Sequence, residues 1–189
     1  MASGPRARAA DTALVVVDVQ ERLAEAMPRG PFDELVRNLA RLIAFADLLK
    51  LPVAASEQYP TGLGRTVPAL KEALGRCSPP TLYLEKTAFS VAEEPLFQTF
   101  LGGGRRTLVV TGLEAHVCVF QSVRDLCERG FSVHVPVDAV LSRTERNAEV
   151  GLRLCERAGA VLTSTEAVLF DLCERAGTER FRTLSRLVK

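Results

Sequence analysis

The sequence predicts a single α/β domain, a three-layer α/β/α open sheet of six parallel strands that is Rossmann-like in its arrangement. Two observations lead to this fold class. Short apolar runs of strand length alternate along the chain with segments whose apolar residues recur at helical spacing. Several of these strands are continuously apolar, as strands buried on both faces of a parallel sheet are. No linker or internal repeat interrupts the alternation.

Length and composition agree with one globular domain. The chain has 189 residues, of which 47% are hydrophobic, and a chain of this size buries a sizeable core. We expect residues 1–12 to form a flexible N-terminal tail and residues 13–189 to form the domain. The formal net charge is +1, which provides no broad cationic field for nucleic acid or for an anionic membrane. No apolar run approaches the ~18 residues that a membrane span requires.

The strand and helix signals follow one another in order. Apolar runs predict strands at 13–17, 52–56, 81–85, 106–111, 131–137 and 160–163. Helical spacing predicts helices at 33–50, 67–74, 95–101, 116–129 and 144–158, with two short helices at the end of the chain. Residues 57–66 contain Pro60, Gly62 and Gly64 and are predicted to form a loop. Because proline cannot donate to a strand ladder, we expect Pro136 to lie near the end of its strand.

Three reactive side chains are predicted at the carboxyl ends of these strands, where open parallel sheets bind ligands. Asp18 follows the first strand, Lys86 closes the third, and Cys118 lies in the first turn of the helix after the fourth. The helix dipole and a nearby ammonium both favour a thiolate over a thiol. Asp18 is then placed to take the thiol proton and to return it to a leaving group. The residues alone leave a structural role open for each of the three, since free cysteine often packs as core.

Four ordered motifs resemble those of the isochorismatase-like cysteine hydrolases. They are Val-Val-Asp-Val-Gln (16–20), Lys-Thr-Ala-Phe-Ser (86–90), Thr-Gly-Leu-Glu-Ala-His-Val-Cys-Val (111–119) and Val-Pro-Val-Asp-Ala-Val-Leu-Ser-Arg (135–143). The resemblance covers roughly residues 13–170. The stretch Glu-Gln-Tyr-Pro-Thr-Gly-Leu-Gly (57–64) resembles the isochorismatase domain-containing protein branch in particular.

The resemblance implies a catalytic triad of Asp18, Lys86 and Cys118. It implies attack of the cysteine on an amide-like carbonyl, a thioacyl-enzyme intermediate and hydrolysis by water. It also implies a cis peptide near Leu113–Glu114, which turns the backbone N–H groups of Glu114 and Cys118 inward as an oxyanion hole. For substrate binding the resemblance points to Gln20, whose alternative interpretation is an exposed loop amide. Glu57, Tyr59 and Phe89 are further candidates that could shape an apolar pocket. The alternative interpretation of Phe89 is a core residue.

One departure from the family bears on metals. Nicotinamidase relatives hold a metal with an Asp-x-His cluster after the second strand, where this chain has Ser-Glu-Gln-Tyr (56–59). We therefore expect no catalytic metal and no cofactor. His116 lies two positions from Cys118, a spacing at which helical side chains do not face each other, so we expect a structural or rim role for it.

The expected function is thus a metal-independent cysteine hydrolase that cleaves a small amide or related acyl compound. The alternative is a catalytically silent protein that keeps the fold for binding or scaffolding. A nucleotide-binding domain is a third interpretation, against which the absence of a glycine-rich phosphate motif counts. Five cysteines without a Cys-x-x-Cys pair suit a reducing cytoplasm. By resemblance we expect a homo-oligomer, a dimer or tetramer, that acts on a small molecule and binds neither nucleic acid nor membrane.

Overall fold

The computed structural model describes residues 6–189, and they form a parallel β-sheet with helices on both faces. The sheet has seven strands, one more than predicted, in the order β3-β2-β1-β4-β5-β7, with β6 pairing with β4. The strands are β1 (Thr12–Val17), β2 (Val53–Gln58), β3 (Leu82–Lys86), β4 (Thr107–Leu113), β5 (Ser132–Pro136), β6 (Val140–Leu141) and β7 (Val161–Thr163). All strand pairs are parallel, so the predicted fold class is confirmed.

Helices connect the strands. The α-helices are α1 (Glu21–Glu25), α2 (Arg29–Leu48), α3 (Pro60–Leu63), α4 (Pro68–Gly75), α5 (Pro95–Leu101), α6 (Phe120–Glu128), α7 (Glu145–Arg157), α8 (Thr165–Cys173) and α9 (Glu179–Leu187). A π-helical turn, Ala115–Val119, precedes α6, and 3₁₀ turns occur at Val91–Glu93 and Val137–Ala139. No helix in this part of the chain combines the length and the apolar character needed to cross a membrane.

The core consists of two apolar layers, one on each face of the sheet. Alternate residues of β1 enter different layers, as the two-residue period of a strand requires. Leu14 and Val16 pack with α2, α4, α8 and α9, whereas Val15 and Val17 pack with α5, α6 and α7. Every residue of β1 is buried, as the continuous apolar run predicted.

The structure corrects several predicted boundaries. Strand β2 continues through Gln58, so the predicted loop at 57–66 begins later and contains the short helix α3. The predicted helix at 116–129 begins as a π-helical turn, and β6 was not predicted because it has only two residues. Pro136 is the last residue of β5, as expected.

The N-terminal tail expected at 1–12 lies partly outside the described residues. In its described part, Ala7 is fully buried and its N–H donates to the carboxylate of Asp171 at 3.3 Å. Thr12 already belongs to β1. From Ala7 onward the chain therefore packs against the domain.

The strand register brings the carboxyl ends of the central strands level with one another. Val17, at the end of β1, lies opposite Ser56 on one side and Gly112 on the other. Gln58 lies opposite Lys86 in β3. Residues that leave these strands therefore meet at one edge of the sheet.

Gly112 allows β4 to approach β1 directly before Asp18. Its φ is +108°, in the region that favours glycine, and a Cβ atom there would lie 2.0 Å from the carbonyl oxygen of Val17. The contact is with backbone, which has little freedom to move away. A side chain at this position would therefore push the two central strands apart next to the site.

We predict that Gly112→Ala destabilises the fold by at least about 3 kcal/mol, because backbone strain adds to a steric clash. Gly130→Ala is the matched control, since Gly130 also has a positive φ of +83° but an added Cβ meets no atom within 4 Å. It should cost only about 1 kcal/mol. Urea unfolding followed by circular dichroism measures both values; equal losses in the two variants would contradict the close-approach argument.

Candidate active site

Asp18 lies at the point where β1 ends, in a left-handed conformation with φ of +51°. It is fully buried, and its backbone N–H donates to the carbonyl oxygen of Ser56 at 3.1 Å. One carboxylate oxygen, Oδ1, accepts a hydrogen bond from Ser56 Oγ at 2.7 Å. The other, Oδ2, lies 2.7 Å from Lys86 Nζ. Both oxygens are thus held, and the carboxylate has a fixed orientation.

Lys86 forms a fully buried ion pair with Asp18, with both side chains 0% exposed. Its ammonium is also within hydrogen-bonding distance of Gln58 Oε1 at 2.7 Å, of the Phe89 carbonyl oxygen at 3.0 Å and of the Ala88 carbonyl oxygen at 3.3 Å. A buried charge is tolerated only when it is paired and hydrogen-bonded. Four oxygen acceptors surround three N–H donors here, so the surroundings suit the ammonium form.

Cys118 lies in the π-helical turn after β4, and the structure brings it to this ion pair. Ser122 Oγ donates to its carbonyl oxygen at 2.7 Å, and Gly151 of α7 packs so closely that an added Cβ would lie 2.5 Å from the Ala115 carbonyl carbon. The charges of Asp18 and Lys86 both lie close enough to the thiol to change its pKa. The three predicted catalytic side chains therefore share one site.

Burial of Cys118 outweighs the helix start and the Lys86 ammonium, both of which favour a thiolate. The pKa of the Cys118 thiol is raised to about 12, and burial is the largest cause. The negative charge of Asp18 also raises this pKa, by more than the positive charge of Lys86 lowers it. The residue is only 6% exposed. Lys86 and the start of a helix are visible in the sequence, but the desolvation of the Cys118 sulfur in the folded protein is not.

The predicted cis peptide is present between Leu113 and Glu114. The Glu114 carbonyl oxygen accepts from the N–H groups of Val117 and Val119, at 3.0 and 3.3 Å. The Glu114 carboxylate accepts from both the backbone N–H and Nε of Arg143, each at 3.1 Å. The residues proposed for the oxyanion hole thus lie on a segment that is fixed at both the backbone and the side chain.

Two of the four predicted substrate-binding residues are fully engaged in holding the fold. Gln20 is buried, and its amide donates to the carbonyl oxygens of Gln58 and Gly64 at 3.0 and 2.7 Å and accepts from the Gln58 N–H at 2.7 Å. This side chain is neither an exposed amide nor a free pocket group. Its hydrogen bonds connect the residue before α1 to the end of β2 and to Gly64.

Glu57 is engaged in the same way. Its carboxylate accepts from the N–H and hydroxyl of Thr66, at 2.7 and 2.8 Å, and from Arg65 at 2.8 Å. Burial alone would raise the pKa of this carboxyl, but the hydrogen bonds from Arg65 and Thr66 lower it overall. Because strand side chains alternate, Glu57 lies on the opposite side of β2 from Ser56 and Gln58, which bond the Asp18–Lys86 pair.

The other two predicted substrate-binding residues carry exposed rings. Tyr59 is 58% exposed and Phe89 is 49% exposed, so Phe89 is not a core residue. The backbone of each is tied to Lys86, because the Tyr59 N–H donates to the Lys86 carbonyl oxygen at 2.8 Å and the Phe89 carbonyl oxygen accepts from Lys86 Nζ. Both rings are therefore carried on segments that border the site.

Ser56 and Gln58 belong to the site but were not predicted as members of it. Both are buried at alternate positions of β2, and they hold Asp18 and Lys86 respectively. The sequence feature that could have indicated them is the continuation of β2 to Gln58, since Ser56 and Gln58 then lie on the same side of the strand.

His116 is not bonded to the three predicted catalytic side chains. Its Nδ1 lies 3.0 Å from Ser142 Oγ. In residues 6–189, no group of three or more His, Cys, Asp or Glu side chains is arranged to hold a metal ion.

Comparisons with known proteins agree with this fold. A model of the isochorismatase domain matches residues 12–167. Isochorismatase domain-containing protein 2 from Homo sapiens is 35% identical over 179 residues, covering 93% of this chain and 82% of the human protein. A secreted isochorismatase effector from Phytophthora sojae is 34% identical over 178 residues, covering 93% of this chain and 83% of its own.

Solved structures share the architecture. A structure described as MAR1 ribonuclease from Caenorhabditis elegans has a TM-score of 0.89 and 38% identity, covering 97% of this chain and 92% of its own. An octameric hydrolase of unknown specificity from Escherichia coli has a TM-score of 0.85 and 23% identity, covering 99% and 92%. A pyrazinamidase/nicotinamidase from Streptococcus mutans, at 17% identity and a TM-score of 0.68, covers 80% and 99%. These last two show the fold alone. The chain belongs to the isochorismatase domain family, and its fold is a hydrolase fold.

Proposed function

We propose that this protein is a cysteine hydrolase that cleaves a small amide or related acyl compound without a catalytic metal. The observation that carries the proposal is the buried Asp18–Lys86 ion pair beside the Cys118 thiol. A nucleophile, a base and a fixed positive charge within one closed site are the elements of nucleophilic acyl transfer. The family membership supports hydrolysis as the class of reaction.

The proposed reaction starts from the thiol. Asp18 takes the proton from Sγ as Sγ attacks the carbonyl carbon, and the carbonyl π electrons move to the oxygen. The backbone N–H groups of Glu114 and Cys118 donate to that oxyanion. When the intermediate collapses, the C–N bond breaks and Asp18 returns the proton to the departing nitrogen. A thioester on Cys118 and a free amine result.

Water completes the cycle. Asp18 takes a proton from the water molecule as its oxygen attacks the thioester carbon, and the C–S bond then breaks. The sulfur recovers the proton, and a carboxylic acid leaves. Lys86, held by Asp18 and Gln58, compensates the negative charge that moves between Asp18 and the sulfur.

The exposed rings of Tyr59 and Phe89 are proposed to form the apolar border of the substrate site. Gln20 and Glu57 are proposed to support that border indirectly, because they form hydrogen bonds with Gly64 and Thr66 in the segment that follows Tyr59. All five cysteines are free, which supports a reducing compartment such as the cytoplasm as the place of action.

A second candidate activity is cleavage of RNA, favoured by the 38% identity to the nematode protein described as a ribonuclease. We place it second because the net charge of +1 provides little attraction for a polyanion, and because the thiol lies in a nearly closed site. A short single-stranded RNA therefore belongs in the same substrate screen as the amides, esters and thioesters. A silent binding protein is the outcome if no class of substrate turns over.

We predict that Cys118→Ala abolishes turnover, by at least about a thousandfold, and leaves the fold intact, because the nucleophile is lost while a small apolar group remains. Turnover is measured across the screen, and the free energy of unfolding is measured in urea. Cys77→Ala is the matched control. Cys77 is also buried, but it lies just after α4 and is not one of the three side chains of the site. Equal activity of wild type and Cys118→Ala on every substrate would refute the proposed function.

The raised pKa of Cys118 predicts how the thiol reacts with iodoacetamide. The thiolate is the reactive form, and with a pKa of about 12 its fraction rises about tenfold per pH unit with no plateau between pH 7 and 10. The rate is followed by peptide mapping, with Cys77 as an internal reference. A plateau reached below pH 8 would show that the resting site holds a thiolate after all.

Asp18→Asn separates thiol reactivity from catalysis. Removing the carboxylate removes an effect that raises the pKa of Cys118, so we predict alkylation at pH 8 that is at least about tenfold faster than in wild type. The same variant loses the base and should lose turnover. Slower alkylation in a folded Asp18→Asn protein would contradict the electrostatic account of the site.

We also propose that the protein works as a homo-oligomer, a dimer or tetramer. The exposed apolar side chains of Tyr59, Phe89 and Leu96 support this. Light scattering after size-exclusion chromatography should give a multiple of the 20.6 kDa chain mass. A mass of one chain at all concentrations would contradict it.

A further inference from the structure

Strand β2 supplies a hydroxyl to the base of the site. Ser56 Oγ donates to Asp18 Oδ1 at 2.7 Å, and Ser56 is 2% exposed. Ser56 therefore lies behind Asp18, where its hydroxyl contacts the carboxylate and does not reach the solvent from which a substrate arrives. Its effect on any reaction must pass through Asp18.

The contacts of the Asp18 carboxylate show what this hydroxyl does. Lys86, from β3, holds Oδ2, and the Cys118 thiol faces the carboxylate from the π-helical turn. Glu57, the acidic residue next to Ser56 in β2, faces the opposite side of the strand. With Ser56 removed, one oxygen loses its donor, and the carboxylate can rotate about the bond to its Cβ.

Resting on the proposed hydrolase function, we propose that Ser56 is a positioning residue that fixes the Asp18 carboxylate for proton transfer with Cys118 and stabilises it as an anion. A hydrogen bond to a carboxylate favours its charged form. A carboxylate displaced by about 1 Å from the thiol proton loses about a hundredfold in rate. Both effects act on the chemical step and not on substrate binding.

The structure thus predicts a specific kinetic signature for Ser56→Ala. We expect kcat to fall at least about tenfold while KM stays within about twofold, because Ser56 does not touch the substrate. The acid limb of kcat/KM should move to higher pH, because the variant lacks the hydrogen bond that the carboxylate accepts from Ser56. A merely structural serine would change stability and leave the pH profile where it was.

Thr and Val at position 56 form a matched pair that isolates the hydroxyl. They have nearly the same shape, so any packing strain from the extra methyl group is shared, and Ser56→Thr should recover kcat and the acid limb where Ser56→Val does not. Thr111→Val is the control for a buried hydroxyl elsewhere, since Thr111 Oγ1 donates to the Val15 carbonyl oxygen at 2.9 Å. It should leave the pH profile unchanged.

The assay uses p-nitrophenyl acetate from pH 4 to 9, with the free energy of unfolding of each variant measured in urea. If wild type hydrolyses neither this ester nor any other substrate of the screen faster than Cys118→Ala does, the proposed function fails and this inference fails with it. If wild type is active and depends on Cys118, but Ser56→Thr and Ser56→Val share one acid limb and one kcat, the inference alone fails. A difference between those two variants in both quantities supports it.

Discussion

The buried ion pair between Asp18 and Lys86 is the interaction on which the rest of the site depends. Neither side chain reaches solvent, and the two charged atoms lie 2.7 Å apart. Removing two charges from water costs several kcal/mol for each ion, and this cost is offset only if every remaining donor and acceptor is satisfied. The surrounding chain meets that demand with Ser56, Gln58 and two backbone carbonyl groups. The ion pair thus determines which polar residues must stand at the ends of β1, β2 and β3.

Gln20 and Gln58 extend this arrangement away from the charges. Gln20 bonds both backbone groups of Gln58, and the Gln58 side chain bonds Lys86 and the Thr87 carbonyl oxygen at 2.8 Å. The amide side chains therefore link the end of β1 to the segment after β3. Beside this cluster, burial and the negative charge of Asp18 raise the pKa of the Cys118 thiol, which favours the thiol over the thiolate.

The sequence was sufficient for the fold class and for the three residues that meet. Apolar runs such as that ending at Val17 specify strands buried on both faces, and parallel strands place their carboxyl ends at one edge. The position of the cis peptide at Leu113–Glu114 came from the family resemblance and is present. These predictions succeeded because each depends on local pattern or on an ordered motif.

What the sequence did not predict depends on burial and on long-range contacts. Glu57 was a candidate for the substrate pocket in a predicted loop. Strand β2 continues through it, and its side chain contacts Arg65 and Thr66. The thiol was expected to ionise because Lys86 and a helix start are visible in the sequence, whereas desolvation is not. Ser56 and Gln58 were overlooked because polar residues at a strand end usually face water.

The central claim is that Cys118 carries the acyl group during the reaction. The most direct measurement mixes the wild-type protein with p-nitrophenyl acetate, quenches it with acid within the first turnover, and locates the acetyl group by tandem mass spectrometry. The account predicts a thioester on Cys118, whose formation keeps pace with the release of p-nitrophenol. An acetyl group found first on another residue, or ester cleavage with no acyl-enzyme at any time, would contradict it.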